Sequence, residues 1–65
     1  SVDYGYYYTE TDVYLSYGGG GLSMKPETKY KNGYRYYGAI NNDPTDWYYT
    51  EKICDNWYYY ELHDG

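Results

Sequence analysis

DWYYTEKICDNWYYYELHDG, residues 46–65, holds the strongest strand pattern in the chain. Tyr, Trp, Thr and Ile favour β-strands, and an Asp-Asn pair between two such runs is typical of a tight turn. The stretch therefore predicts a hairpin of two strands, Trp47–Cys54 and Trp57–His63, joined at Asp55–Asn56.

The register of this hairpin decides which side chains share a face. A three-residue loop would mix apolar and charged positions on each face, so we favour a two-residue turn, in which Ile53 pairs with Tyr58 and Tyr49 with Leu62. The predicted core face then holds Trp47, Tyr49, Ile53, Tyr58, Tyr60 and Leu62. The opposite face is predicted to expose the rings of Tyr48, Trp57 and Tyr59, with Lys52, Glu61 and His63 among them. A cluster of exposed rings of this kind indicates a contact site.

KYKNGYRYY, residues 29–37, predicts a second hairpin. Asn32–Gly33 is typical of a type I′ turn, which needs a positive φ at both central residues. This turn predicts cross-strand pairs that each set a cation beside an aromatic ring, namely Lys31 with Tyr34, Tyr30 with Arg35, and Lys29 with Tyr36.

The rest of the chain predicts further strands and no helix, because no segment repeats its apolar residues every 3.6 positions. Val2–Tyr8 and the alternating Val13–Tyr17 read as strands, and residues 18–21 and 41–46 read as breaks. We therefore expect one tyrosine-rich domain over residues 1–65. Its predicted fold is all-β, a small antiparallel sandwich or barrel-like sheet of about five or six strands.

The composition predicts a core built largely from phenol and indole rings. The chain has 65 residues with 15 Tyr, 2 Trp and no Phe, and its few aliphatic side chains cannot fill a core. A buried hydroxyl needs a hydrogen-bond partner, so ring bodies are expected inside and hydroxyls at polar edges. Two explanations for the missing Phe stay open: the hydroxyls are useful, or the lineage has a biased residue usage.

Charge and cysteine content restrict the partners. The net charge of −5 argues against a nucleic-acid partner, which needs a basic face. No stretch has the roughly 20 apolar residues of a membrane span, and no signal peptide is visible. The single cysteine, Cys54, excludes an internal disulfide and is either a structural thiol or a link to another chain. The composition resembles that of surface-exposed β proteins, so a secreted or cell-surface location is expected.

Candidate catalytic and metal-binding groups are sparse. Cys54 and His63 lie at opposite ends of the predicted hairpin and cannot pair as nucleophile and base. Glu61 with His63 and Asp64, or the oxygen ligands of residues 41–46, offer alternative metal sites, but neither has a recognised ligand spacing. The sequence therefore predicts a non-enzymatic protein with no cofactor and no metal.

NGYRYYGAINN, residues 32–42, and DNWYYYELHDG, residues 55–65, align at a spacing of 23. Both stretches resemble the hairpin repeats of choline- and glucan-binding cell-wall modules, which carry an Asn-Gly turn, an aromatic pair and a closing Gly. The second copy has Asp-Asn at its turn, and the leading Gly-Trp of those repeats is missing. The resemblance implies that Tyr36, Trp57 and Tyr59 are ligand-facing rings.

Recognition through exposed aromatic rings is the function that the sequence favours. Tyr and Trp bind surfaces at low entropic cost, and sugars offer apolar faces ringed by hydroxyls. We therefore expect a binding module for carbohydrate or a cell-wall surface, with Tyr36, Tyr48, Trp57, Tyr59 and Glu61 as ligand-binding residues. One alternative is a structural subunit that self-associates through strand edges and tyrosine contacts. Another is a small secreted β-sandwich bacteriocin.

Overall fold

A computed structural model describes residues 1–18, 21–24, 28–38 and 43–64. This described part contains strands and no helix, and so none that could cross a membrane. The strands in chain order are β1 (Val2–Tyr8), β2 (Ser16–Gly18), β3 (Gly21–Ser23), β4 (Thr28–Tyr30), β5 (Gly33–Tyr37), β6 (Trp47–Cys54) and β7 (Trp57–His63).

The strands form two antiparallel sheets. The larger has five strands in the order β1-β7-β6-β5-β4, and the smaller is the β2–β3 hairpin. The all-β prediction is therefore confirmed. The predicted strand Val13–Tyr17 is wrong in its extent, because only Ser16–Gly18 is extended and paired, and its partner Gly21–Ser23 was not predicted as a strand. Residues 19–20 and 41–42 of the predicted breaks lie outside the described part.

The β6–β7 hairpin has the predicted strand bounds and turn but not the predicted register. Cys54 pairs with Trp57, whereas Lys52 pairs with Tyr58, so Ile53 is an extra residue in β6. Such a β-bulge reverses the face on which every earlier residue of the strand points. Tyr49 consequently pairs with Glu61 and not with Leu62.

The β4–β5 hairpin also turns one residue earlier than predicted. Lys31 and Asn32 form its turn, with a positive φ of 52° at Lys31, and Tyr30 pairs with Gly33. Gly33 is needed for a different reason than the predicted turn. It pairs with Glu51 of β6, and a Cβ at this position would overlap the carbonyl oxygen of Thr50.

One face of the large sheet, here called the covered face, packs against residues 9–18, which include β2. It presents Tyr7, Tyr34, Tyr36, Tyr48, Thr50, Tyr58, Tyr60 and Leu62. Tyr7 and Tyr58 stack at 5.1 Å between ring centroids, and the ring of Tyr14 meets Tyr58 edge-on at 5.0 Å. The predicted core of aromatic rings is therefore present, but on this face.

The buried hydroxyls of the covered face are hydrogen-bonded, as expected for a core of phenols. The main-chain oxygen of Leu15 accepts from Tyr48 at 2.9 Å, and the main-chain N–H of Leu15 donates to the Tyr7 hydroxyl at 3.2 Å. Tyr7 also shares a 2.6 Å hydrogen bond with the Thr50 hydroxyl, which donates to the main-chain oxygen of Tyr59. The main chain of Leu15 thus provides hydrogen-bond partners for two hydroxyls of the core.

Asp12 ties the segment after β1 to the turn of the β6–β7 hairpin. Its carboxylate accepts from Lys52 Nζ at 2.6 Å, from the Tyr58 hydroxyl at 2.8 Å and from the main-chain N–H of Asn56 at 3.0 Å. These hydrogen bonds, the one from Lys52 foremost, lower the pKa of Asp12 below its ordinary value of 3.8. Because the folded state favours the ionised carboxylate, Asp12 contributes stability above pH 3.8, and this contribution is lost as the pH falls through its lowered pKa.

Asp12→Asn is expected to lower the melting temperature at pH 7, because the amide removes the charge and one acceptor while tolerating the positive φ of 54°. The difference from the wild type should narrow as the pH falls from 3.8 through the lowered pKa of folded Asp12, because protonation of the carboxylate removes the contribution of its ionised form. Thermal melts from pH 7 to pH 2 measure this. Asp55→Asn removes the same charge from a side chain that is 96% exposed and lies 3.9 Å from the same Lys52, so it serves as the control for a weakened ion pair with that lysine alone. A constant difference at all pH values would contradict the role given to Asp12.

Candidate functional site

The other face of the large sheet, here called the open face, alternates aromatic and charged side chains. The register places them in four rows from β1 toward β4. In order they are Tyr8 and Trp57; Tyr6, Tyr59, Glu51 and Tyr30; Tyr4, Glu61, Tyr49 and Arg35; and Val2, His63, Trp47 and Tyr37. Most of the large exposed apolar side chains of the described residues lie here. A sheet face this rich in exposed rings is a candidate contact surface.

Two tyrosines and two glutamates form the centre of the open face. Tyr49 lies opposite Glu61, and Glu51 lies opposite Tyr59. Each tyrosine hydroxyl donates along its own strand at 2.8 Å, Tyr49 to Glu51 Oε1 and Tyr59 to Glu61 Oε2. We call this set of four residues the Tyr–Glu lattice. It places two carboxylates at the centre of the sheet, each hydrogen-bonded to a tyrosine of its own strand.

The lattice keeps its phenols neutral and one of its carboxylates ionised. Burial, and next the hydrogen bond to Glu51, raise the pKa of Tyr49 to about 12. The hydrogen bond to Glu61 and then burial raise the pKa of Tyr59 to about 12. Hydrogen bonds from His63 and Tyr59 lower the pKa of Glu61 below its usual range. At neutral pH the lattice therefore combines neutral hydroxyl groups with the ionised carboxylate of Glu61.

A depression of about 170 Å³ lies over one side of the lattice. Tyr49 is 6% exposed, which places it deep in this part of the face. Gly33 contributes no side chain between Glu51 and Tyr30 in their row. The residues that line the depression are Tyr30, Lys31, Asn32, Trp47, Tyr49, Glu51 and Glu61. Aromatic walls with a few convergent polar groups are typical of small-ligand sites.

A cation–π cluster supports the β4–β5 side of the depression. The guanidinium carbon of Arg35 lies 4.0 Å from the centroid of the Tyr30 ring and 5.0 Å from that of Tyr37. Nε of Arg35 is buried and has no hydrogen-bond partner among the described residues. Ring contacts therefore hold this guanidinium, and with it the orientation of Tyr30.

A second stack fixes the far end of the open face. Trp47 and His63 are paired across β6 and β7, and their rings are parallel at 3.6 Å between centroids. Nε2 of His63 lies 2.8 Å from Glu61 Oε1, so Glu61 has a partner at each oxygen. His63 thus positions both the Trp47 ring and the Glu61 carboxylate.

The structure divides the predicted ligand-binding residues between the two faces. Trp57, Tyr59 and Glu61 lie on the open face, as predicted, and Trp57 is 46% exposed. The prediction that Tyr48 is exposed is wrong, because the bulge at Ile53 turns it into the core, where it is 1% exposed. Tyr36 is paired with Tyr48 on the covered face and packs against the core. The structure therefore does not bring Tyr36 together with the other predicted rings.

The sequence interpretation missed Trp47, Tyr49 and Glu51 because it assigned the first two to the core. A signal for them exists in the chain: WYYTE at residues 47–51 repeats as WYYYE at residues 57–61. The two copies are the antiparallel neighbours β6 and β7, and their matching Tyr and Glu residues form the Tyr–Glu lattice. Contrary to the prediction, Tyr30 and Arg35 are not directly opposite in the β4–β5 ladder, but the predicted cation–π contact between their side chains is present.

Metal-binding clusters and related proteins give no further assignment. Within the four described ranges no group of three or more His, Cys, Asp or Glu side chains is arranged to hold a metal ion. No protein-family model matches the chain, and no curated protein or solved structure is significantly similar to it. The resemblance of residues 32–42 and 55–65 to cell-wall hairpin repeats stays a prediction, and residues 39–42 and 65 of it lie outside the described part.

Proposed function

We propose that the protein is a non-catalytic binding module that takes carbohydrate on its open face, at the cell surface or after secretion. The observation that carries the proposal is the Tyr–Glu lattice beneath a ring-lined depression. Aromatic walls cover the apolar C–H faces of a sugar, and carboxylates accept hydrogen bonds from its hydroxyls. Both kinds of group, aromatic rings and carboxylates, line the same depression.

In this proposal the carboxylates are the groups that orient the bound sugar. Hydrogen bonds to Tyr49, Tyr59 and His63 hold Glu51 and Glu61 in place before a ligand arrives. Groups fixed in advance lose little conformational entropy on binding. The ionised Glu61 and its neighbour Glu51 then favour a ligand with neighbouring hydroxyl groups over a flat apolar one.

The exposed rings extend the surface beyond the depression. Tyr6 packs on Tyr59 at 5.7 Å, and Tyr8 meets Trp57 edge-on at 5.4 Å between ring centroids. These two ring pairs occupy successive rows, roughly 7 Å apart along the strands. An oligosaccharide longer than the depression can therefore continue over them, which is the role we assign to Trp57.

Glu51→Gln is expected to weaken glycan binding about 10–100-fold, because hydrogen bonds to charged groups contribute about 1.5–3 kcal/mol. Calorimetric titration with soluble glucan, chitin and mannan oligosaccharides measures the effect. Asp55→Asn makes the same change of charge in the hairpin turn, away from the open face, and should bind like the wild type. Equal affinities for wild type and Glu51→Gln would contradict the assigned site, and no binding by the wild type to any glycan would contradict the function.

Trp57→Ala tests whether the exposed ring pairs beyond the depression contribute to binding separately from the depression itself. This variant should keep wild-type affinity for a monosaccharide and lose binding to long oligosaccharides, because only long ligands reach Trp57. Its unfolding transition should stay close to that of the wild type, since the ring is 46% exposed. Unchanged oligosaccharide binding by a folded Trp57→Ala would remove Trp57 from the proposed surface.

A further inference from the structure

The outer edge of β1 has main-chain groups that the large sheet does not use. β1 is the end strand of the sheet, and β7 is its neighbour in the strand order. Ser1 exchanges both main-chain hydrogen bonds with Asp64, and the N–H of Thr9 donates to the main-chain oxygen of Asn56. In an antiparallel ladder, hydrogen-bonded pairs alternate with non-bonded ones. The odd-numbered residues of β1 therefore bond to β7, and the N–H and C=O groups of Val2, Tyr4, Tyr6 and Tyr8 point away from it.

Apart from the single charge of Asp3, this edge lacks, among the described residues, the features with which proteins usually block strand addition. β1 is seven residues long, is paired to β7 without a bulge, and contains neither Lys nor Pro. The residues whose main-chain groups point away from β7 carry exposed apolar or aromatic side chains, with Tyr4 72% and Tyr6 67% exposed. The opposite edge, β4, has three residues and carries Lys29, with Lys31 directly after it. Of these two edges, the one at β1 is long and unguarded.

An antiparallel second copy of β1 matches this edge in one register that uses every outward group. Tyr4 then pairs with Tyr6 of the other copy, and Val2 with Tyr8. All four residues thus form hydrogen-bonded pairs, in which the two partners exchange both main-chain hydrogen bonds. Gly5 lies opposite Gly5 at the twofold axis. Asp3, the one charged residue of β1, lies opposite Tyr7, so no like charges face each other.

We propose that two copies of the protein pair through β1 in this register and form a closed twofold dimer with one continuous ten-stranded sheet. The same surface serves on both copies, so the contact is isologous and ends at two chains. The Tyr4 and Tyr6 rings of the two copies form a cross-strand ladder on the open side, with the two open faces next to each other. This pairing does not depend on the ligand proposed above.

Sedimentation equilibrium at physiological salt, with reductant to exclude a bridge through the exposed Cys54, tests the pairing. The wild type should give twice the chain mass of 7.8 kDa. The double variant Tyr4→Lys, Tyr6→Lys should give the monomer mass, because the introduced ammonium groups face each other only in the dimer, while in the monomer the one at position 4 faces Glu61. Tyr37→Lys, a comparably exposed ring of the open face away from β1, should remain dimeric.

Two further measurements keep the test decisive if the double variant misfolds. Tyr6→Pro removes one outward N–H and no intramolecular hydrogen bond, and it should also be monomeric with a wild-type circular dichroism spectrum. Amide hydrogen exchange of the wild type should show concentration-dependent protection at Tyr4, Tyr6 and Tyr8, and concentration-independent protection at Tyr7. A monomeric wild type at millimolar concentration, or a dimer unaffected by all these variants, would overturn the proposal.

Discussion

Gly33→Ala is expected to lose at least about 3 kcal/mol of unfolding free energy. The added Cβ would overlap the carbonyl oxygen of Thr50, which belongs to the backbone of the neighbouring strand and cannot rotate away. The substitution must therefore separate β5 from β6 and displace the β4–β5 hairpin that lines the depression. A loss of this size is a large part of the stability of a 65-residue domain, about 3–10 kcal/mol. Urea unfolding followed by near-ultraviolet circular dichroism measures it.

Gly5→Ala is the matched control for this prediction. A Cβ at Gly5 would lie 3.0 Å from Cε1 and 3.2 Å from the hydroxyl of Tyr60, the far end of a side chain that can shift. We expect this variant to lose less than about 1.5 kcal/mol. If Gly33→Ala unfolds at the wild-type urea concentration, the close approach of β5 and β6 at Gly33 is wrong.

Tyr48→Ala is expected to cost about 3–5 kcal/mol, the range found for removal of a buried aromatic ring. Its ring is 1% exposed and packs with Tyr17, Tyr60 and Leu62 in the core. Tyr48→Phe keeps the ring and removes only the hydrogen bond to the oxygen of Leu15, so it should lose about 1 kcal/mol. The same urea titration measures both variants.

Tyr37→Ala provides the comparison for the loss at Tyr48, because it removes the same ring from a position that is 54% exposed. This variant should stay within about 1 kcal/mol of the wild type. Equal losses at Tyr37 and Tyr48 would mean that the two faces of the sheet do not differ in the way described, and the division of the tyrosines between core and surface would fail.

The long strands and one turn were predictable from residue type. Val2–Tyr8, Trp47–Cys54 and Trp57–His63 have the observed bounds because β-branched and aromatic runs end there at polar turn residues. Asp55–Asn56 forms the turn, with the positive φ of 68° at Asn56 that asparagine tolerates. These features depend on a few neighbouring residues, which is why the sequence is sufficient for them.

The bulge at Ile53 was not predictable from the same pattern. In β6 and β7 aromatic residues occupy consecutive positions, so either register gives one aromatic face and another that is partly aromatic. The choice depends on distant partners: Leu15 accepts the Tyr48 hydroxyl, and Tyr7 shares a hydrogen bond with Thr50. A hydrophobic pattern fixes register only where polar and apolar residues alternate clearly, and here they do not.

The candidate site was predicted in part for this reason. Glu61, Tyr59 and Trp57 belong to β7, whose facing was predicted correctly, whereas Trp47, Tyr49 and Glu51 belong to the part of β6 before the bulge. Gly33 shows a similar limit, since a glycine required for close approach to another strand looks the same in sequence as one required for a turn. Tertiary contacts decide both cases.

The central claim is that tyrosines of the covered face form the core, whereas those of the open face, with the exception of Tyr49, stay in contact with water. Fluorine NMR of protein labelled with 3-fluorotyrosine, titrated with a soluble paramagnetic agent, tests this for each residue once the signals are assigned by single Tyr→Phe variants. Tyr7, Tyr48 and Tyr58 should keep sharp signals, whereas the signal of Tyr37 should broaden at low concentrations of the agent. Broadening of Tyr48 equal to that of Tyr37 would contradict the claim.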